Sequence, residues 1–341
     1  MADKKIVGVI GAGRIGKIHT EDLVKFVHGV KVKAIADINL DDKIQEWATN
    51  LGIEVQTADA SELINDPEIE VIVICSSTDT HAQFIIDAAN AKKDIFCEKP
   101  IDYDLGRIND ALDAVKNNGV KLFIGFNRRF DHNFMRIRKA IEAGDIGTPH
   151  IIKITSRDPS PPPISYVKVS GGLLFDMAIH DLDQALFQMG GEEVEEVTAK
   201  GAVLVDPAIG EAGDIDTAVV ILKFKSGAMA IIDNSRKAVY GYDQRVEAFG
   251  SGGCAISGND YPNNIAFYTD KTVSRDLVLN FFLERYAGAY IEEMKQFFEC
   301  LREGKDMPAT GEDGLKAVIL AMAAKKSLDE NRTVKISEIV G

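Results

Sequence analysis

The chain has 341 residues, with 39 Lys and Arg against 53 Asp and Glu, a formal net charge of −14. Residues 1–124 carry 14 basic and 21 acidic residues and the remainder 25 and 32, so each part is net −7, and neither is the basic domain that nucleic acid or an anionic membrane attracts. A 45% hydrophobic content and four scattered cysteines (Cys75, Cys97, Cys254, Cys300) exclude a disordered chain, a disulfide scaffold and a paired-cysteine zinc site.

That cysteine usage fits a reducing compartment. No apolar run approaches the roughly 18 residues of a membrane span, and the opening MADKKIVGVIGAG lacks a signal-peptide layout. A cytoplasmic protein of two domains is expected.

Residues 5–10, KIVGVI, read as a short buried strand. Gly11-Ala12-Gly13-Arg14-Ile15-Gly16 follows, then a helical stretch to about Val27 and a second strand, KVKAIA, ending at Asp37. A helix from about Asp41 and a short one near Ala60–Ile64 lead to VIVIC at 71–75, a β-branched run typical of a sheet covered on both faces. Helical THAQFIIDAANA, strand DIFCEKP, a helix over 104–117 and strand KLFIGF at 121–126 complete the series. Strands alternating with helices predict a doubly wound parallel α/β domain over residues 1–126.

The pattern changes from residue 127. A helix is expected over 131–143 and a strand over 149–156, then the Pro-rich loop Asp158–Pro163 and one helix over 172–189. Strands follow at 194–204, 215–225, 228–235 and 244–250, with Lys225-Ser226-Gly227 as a hairpin turn, and long helices close the chain at 285–303 and 312–329. This predicts a second, α+β domain over residues 127–341, with a mixed or antiparallel sheet and helices on one face.

The glycine segment matches G-x-G-x-x-G in the context the motif needs, after a strand and opening a helix. Gly11, Gly13 and Gly16 allow the tight turn and the approach of backbone to a pyrophosphate resting on the helix N-terminus, beside Arg14 and Ile15. Asp37, 21 residues after Gly16, would bind ribose hydroxyls and repel a 2′-phosphate, so NAD is favoured over NADP. The bland readings are a ligand-free glycine turn and a surface acid.

Two segments carry possible chemistry. Cys97-Glu98-Lys99-Pro100 ends a parallel strand, and ligands bind outside the carboxyl ends of such strands. In Gly171–Asp181, a continuous helix would put Asp176 and His180 on one face, where the carboxylate orients the imidazole as a general base. Taken alone, His180 reads as a structural histidine and Lys99 as a strand-ending surface lysine. No third ligand completes a metal site, so none is expected. His19 lies on the first helix, near cofactor or capping. His28, His132 and His150 read as surface or packing residues.

These residues resemble the Gfo/Idh/MocA oxidoreductases, and within them the inositol 2-dehydrogenase branch, along nearly the whole chain. The anchors are GAGRIGKIH at 11–19, Glu98-Lys99-Pro100, GFNRRFD at 125–131, Ser156-Arg157-Asp158-Pro159, Asp176-x-x-x-His180 and Tyr240-Gly241-Tyr242-Asp243. The resemblance implies a Rossmann domain plus a second domain with a large open sheet that commonly mediates homotetramers. It implies a catalytic set of Lys99, Asp176 and His180, with a Lys99–Pro100 peptide that is often cis. It further implies Ser76, Ser77, His81, Glu98 and Lys99 along NAD, and Arg129, Asp158, Tyr240 and Tyr242, with the catalytic set, near a neutral polyol. Asp158 reads equally as a turn-shaping residue before Pro159. Tyr240 and Tyr242, two apart on a possible strand, read also as core packing.

The expected activity is NAD-dependent oxidation of a secondary hydroxyl of an inositol. The alternatives are a dehydrogenase of another polyol or aldose and a non-catalytic dinucleotide sensor that regulates a partner protein. Retention of Lys99, Asp176 and His180 argues against the sensor.

Overall fold

The structure, a computed structural model, describes residues 4–341. In chain order the first part comprises β1 (Lys5–Ile10), α1 (Arg14–Phe26), β2 (Val30–Ala36), α2 (Asp42–Asn50), β3 (Val55–Thr57), α3 (Ala60–Asn65), β4 (Val71–Ile74), α4 (Thr78–Asn90), β5 (Asp94–Glu98), α5 (Leu105–Asn118) and β6 (Leu122–Gly125). The strands form a six-stranded sheet in the order β3-β2-β1-β4-β5-β6, every neighbouring pair parallel. This is the expected Rossmann arrangement. Val71, Ile72, Val73 and Ile74 are fully buried, as a strand covered on both faces requires.

A 3₁₀ turn (Asn127–Phe130) then leads to α6 (His132–Glu142), β7 (Pro149–Arg157), α7 (Ile164–Val167), α8 (Gly172–Asp176) and α9 (Ala178–Gln188). Next come β8 (Val194–Ala202), α10 (Pro207–Glu211), β9 (Thr217–Phe224), β10 (Met229–Ser235), β11 (Asp243–Gly250) and β12 (Gly253–Ser257). The chain ends with β13 (Ala266–Tyr268), β14 (Val273–Arg275), α11 (Phe282–Arg285), α12 (Ala287–Glu303), α13 (Gly311–Glu330), β15 (Val334–Lys335) and α14 (Ser337–Val340).

The second sheet has seven strands in the order β12-β11-β7-β10-β9-β8-β15. It is mixed, because β10 pairs with β7 in parallel while its other pairings are antiparallel. The Lys225–Gly227 turn joins β9 to β10, with Gly227 at φ 91°, a left-handed conformation that glycine adopts without strain. Alternation along β9 and β10 buries Ala218, Val220, Leu222, Ala230 and Ile232 on one face. The other face keeps Val219, Ile221 and Met229 exposed. α9 lies against β7 and β10.

The chain divides into two compact units. One runs to Phe130 and includes Ala289–Val318; the other is Asp131–Gly288 with Ile319–Gly341. In the first, Phe297 of α12 joins the stacked Phe96–Phe123 pair at centroid distances of 5.9 and 5.4 Å, and the main-chain N–H of Ile124 donates to the Ala309 carbonyl at 3.0 Å. Aromatic burial and sheet-end hydrogen bonding thus attach this late segment to an early core.

Three local features differ from the sequence reading. β3, β13, β14 and β15, of two or three residues each, are too short to show a period, and β12, though five residues long with alternating burial, lies outside the strands expected from the sequence. The helix expected over 172–189 is broken at Met177 (φ −95°, ψ −59°), so Asp176 ends α8 and His180 sits in the first turn of α9. Tyr240 and Tyr242 lie on the turn before β11, not on a strand. Gly241 between them has φ 119°, and a Cβ there would meet Val278 Cγ2 at 2.7 Å.

In the second unit Asp131 caps α6, accepting from the N–H groups of Asn133 and Phe134 at 3.1 Å each. Its carboxylate also pairs with the Arg285 guanidinium, and both side chains are almost wholly buried. Arg285 further reaches Asp260 at 3.2 Å and lies over the Phe134 and Tyr286 rings. Removing one partner of such a pair strands a buried charge and costs about 3–5 kcal/mol. Arg285→Met should therefore lower unfolding free energy by about that amount in urea titrations, while an exposed pair such as Lys25–Glu21 should contribute under about 1 kcal/mol.

Candidate functional site

In the first unit the functional groups collect at the C-terminal ends of β1, β2, β4 and β5. Gly11 has φ 96°, and a Cβ there would lie 2.6 Å from the Cys75 carbonyl carbon. A Cβ on Gly16 would lie 1.9 Å from the Gly11 oxygen, so this glycine lets α1 close onto the turn. Gly13 is different: a Cβ there would meet nothing within 4 Å. α1 starts from Gly13 with no capping side chain and no acid in its first turn, which suits an anion at the helix N-terminus. This cradle fits a dinucleotide pyrophosphate.

Asp37 is half-buried at the end of β2. Its Oδ2 accepts from the Ala12 N–H at 2.6 Å and its Oδ1 from the Asn39 N–H at 2.8 Å. The acid is thereby tied to the glycine turn with lone pairs remaining for a diol.

After β4, Ser76 Oγ lies 2.7 Å from Thr80 Oγ1, and Ser77 caps the start of α4 through its main chain, its carbonyl accepting from Thr80 N at 3.0 Å. His81 is buried, with Nδ1 at 2.8 Å from the Pro100 carbonyl and Nε2 at 3.0 Å from the Ser76 carbonyl. Burial lowers its pKa. A neutral ring donates through only one of the two nitrogens. Its one donated hydrogen bond therefore ties α4 either to the loop after β4 or to the loop that carries Lys99. Lys99 is half-buried directly after β5, and its peptide bond to Pro100 is cis.

Glu98 ends β5 pointing inward. Its Oε1 lies 2.7 Å from His19 Nε2, and His19 is fully buried with its ring edge-on to Phe96 and Tyr290. The sequence marked His19 within the motif but not its partner. Glu293 of α12 was not anticipated at all. It is fully buried, and neither oxygen has a hydrogen-bond partner. Burial, with Glu98 and Asp22 nearby, holds its pKa well above the usual carboxylate range. Asp22 itself is pushed up to about 6, chiefly by burial. Arg129 is buried in the 3₁₀ turn, donating to the Pro308 carbonyl at 2.7 Å and pairing with Asp313 at 3.1 Å.

In the second unit Asp176 accepts from the Tyr166 hydroxyl at 2.9 Å and from Arg236 Nη2 at 3.1 Å. Asp158 follows β7; its Oδ2 is 3.4 Å from Arg236 Nη1, and its carbonyl accepts from Ala238 N–H at 2.6 Å. Asp158 therefore joins Asp176 through one guanidinium as well as shaping its turn. His180 is half-buried. Tyr240 donates to Asp243 Oδ2 at 2.7 Å and accepts from Arg157 Nη1 at 3.2 Å. Tyr242 is buried edge-on to Tyr286, with ring centroids 5.9 Å apart. Tyr166 and Arg236 were missed by sequence reading, since neither lies in a motif that predicts an acid partner. Among the described residues, Asp131, His132 and Asp260 form the one group with metal-ligand spacing, and the Arg285 guanidinium already pairs with both acids.

Residues 5–126 match the oxidoreductase family with an NAD-binding Rossmann fold, and residues 134–256 match the Gfo/Idh/MocA C-terminal domain. The chain belongs to the Gfo/Idh/MocA oxidoreductases. It is 49% identical to a myo-inositol 2-dehydrogenase of Thermotoga maritima over 98% of this chain and 99% of the relative. It is 46% identical to an inositol 2-dehydrogenase of Rhizobium meliloti over 97% and 98% of the two chains. A crystal structure of scyllo-inositol dehydrogenase from Lactobacillus casei, with bound NAD(H) and scyllo-inositol, superposes with a TM-score of 0.91 at 28% identity, covering 98% of this chain and 100% of that one.

Two tests follow from this oxidoreductase site. Asp37→Ala should weaken NAD about tenfold or more and relax the preference over NADP, read as the ratio of kcat/KM values; an unchanged ratio removes the role given to Asp37. Glu293 ionises near 4.5 when unfolded, and burial raises its pKa well above that in the fold. Stability therefore falls as pH rises above that value. Glu293→Gln should melt like the wild type near pH 4 and a few degrees higher by pH 8.

Proposed function

We propose that this chain oxidises a secondary hydroxyl of an inositol to the corresponding ketone, with NAD as the acceptor. The observation that carries the reading is the glycine cradle with its tethered Asp37, on a chain that matches inositol 2-dehydrogenases end to end at 46–49% identity. When bound, NAD accepts the hydride that leaves the carbinol carbon. The glycine turn, Arg14, Ile15 and the start of α1 hold its pyrophosphate, and Asp37 its adenosine ribose. Ser76, Ser77, His81 and Glu98 shape the wall along the other half, His81 by donating its one N–H to a main-chain carbonyl.

His180 takes the hydroxyl proton as general base, and Asp176 orients its ring. Lys99 donates a hydrogen bond that steadies negative charge on the reacting oxygen. Asp158, Arg129, Tyr240 and Tyr242 are assigned to the polyol side. The substrate is neutral, so hydroxyl-matching groups serve it better than a basic field.

We assign cofactor binding to residues 1–126 and substrate binding with oligomerisation to residues 127–341. The exposed face of the second sheet supports a homotetramer: Val219, Ile221, Met229, Phe249 and Ile256 lie on it, and all are exposed. An apolar patch of this kind marks an association surface. Location in the cytoplasm agrees with the four free cysteines.

The deciding experiment is NADH formation across inositol stereoisomers and common aldoses, compared by kcat/KM. Turnover with myo- or scyllo-inositol is expected, and turnover with aldoses alone overturns the substrate assignment. His180→Ala should reduce kcat by about 10²–10⁴-fold with little change in NAD affinity. An equal loss of NAD affinity would place His180 with the cofactor instead.

A further inference from the structure

We propose that Arg236 is a positioning residue for the polyol site: its buried guanidinium holds Asp158 and Asp176 in one fixed arrangement, so that substrate recognition and orientation of the general base depend on the same group. The inference rests on the inositol reading above and adds a residue that no motif marks.

The geometry is specific. Arg236 follows β10 and is 3% exposed. Two different nitrogens serve two different acids, Nη2 to Asp176 at 3.1 Å and Nη1 to Asp158 at 3.4 Å. A planar fork fixes both carboxylates relative to each other, which one point-charge ammonium does not do. The second oxygen of Asp176 is held separately by the Tyr166 hydroxyl at 2.9 Å. Without the cation, Asp158 and Asp176 would repel one another, with Asp214 adding to the local negative charge.

The support of Arg236 is equally well defined. Its main-chain N–H donates to the Asp216 carbonyl at 2.8 Å. Asp216 is fully buried, and its carboxylate accepts from the N–H groups of Leu204, Val205 and Asp206 at 2.8–3.0 Å. Asp158 is joined to the same segment by main-chain hydrogen bonds, its N–H to the Ser235 carbonyl at 2.9 Å and its carbonyl to the Ala238 N–H at 2.6 Å. The main chains of Arg236 and of Asp158 are thus fixed by backbone hydrogen bonds, and the guanidinium is buried against its two acids, the condition for a preorganised site.

Arg236→Lys keeps charge and most of the volume, and Arg236→Ala opens a space for an added guanidinium ion. The Lys variant should melt within a few degrees of wild type, bind NAD with unchanged affinity, and lose about 10–10²-fold in kcat/KM for the inositol that wild type oxidises best. The Ala variant should lose about 10²–10³-fold and regain at least about tenfold, saturably, with millimolar guanidinium or methylguanidinium. Wild-type kcat/KM in the Lys variant overturns the proposal. A loss in the Ala variant that guanidinium leaves unrestored overturns it too, as does a parallel loss of NAD affinity. Should the Ala variant not fold, the Lys variant decides alone. Failure of wild type on every inositol would instead defeat the functional reading.

Discussion

Parallel pairing of β1 between β2 and β4 sets where the chemistry of the first unit collects. The chain lays β2 and β3 on one side of β1 and β4 to β6 on the other, and ligands bind at the carboxyl ends where such an order reverses. Main-chain bonds carry that register into the loops. Gly11 N–H donates to the Ala36 carbonyl at 2.8 Å and Cys75 N–H to the Ile10 carbonyl at 2.7 Å. These two bonds bring the glycine turn, Asp37 and Ser76 together. With Cys75 backbone packed against the Gly11 position, any side chain there would force the sheet end apart. The cofactor cradle is therefore a property of strand register first and of side chains second.

The second unit is organised by buried charge. Arg236 and Arg285 are each almost inaccessible, and each bridges two aspartates. Burial alone would weaken a charged guanidinium, yet the neighbouring carboxylates raise the pKa of both. A chain with a net charge of −14 thus uses buried arginines to organise acids internally. Around Asp158 and Asp176, Arg236 and the Tyr166 hydroxyl are the donors, Arg236 to both and Tyr166 to Asp176, so both acids are held by oriented donors. In the first unit Glu293 shows the opposite case: it is buried beside Glu98 and Asp22 without a hydrogen-bond partner, and burial holds its carboxyl well above the usual carboxylate range.

Much of this was legible in the linear chain. Alternation of apolar strands and helices predicted the parallel sheet, because a βαβ unit writes its period into every turn of the chain. The glycine motif predicted the tight turn, because positive φ and missing Cβ atoms are single-residue properties. The broken helix at Met177 was not legible, since Gly171–Asp181 has no proline and reads as one run. Nor was the turn at Tyr240–Tyr242, where Gly241 adopts φ 119° and a side chain in its place would collide with Val278, 37 positions on. The return of Ala289–Val318 to the first unit depends on Phe297 meeting Phe96 and Phe123, aromatic residues far apart in sequence.

The sequence by itself determined the Rossmann architecture, the family and the position of the glycine turn. All of these follow from local pattern and residue type. Tertiary structure alone decided which groups pair: His19 with Glu98 across 79 residues, Asp176 with Arg236 across 60, Asp158 with the same arginine across 78. A side chain's hydrogen-bond partner depends on where topology brings distant strand ends, and no short-range rule of periodicity or turn chemistry carries that information.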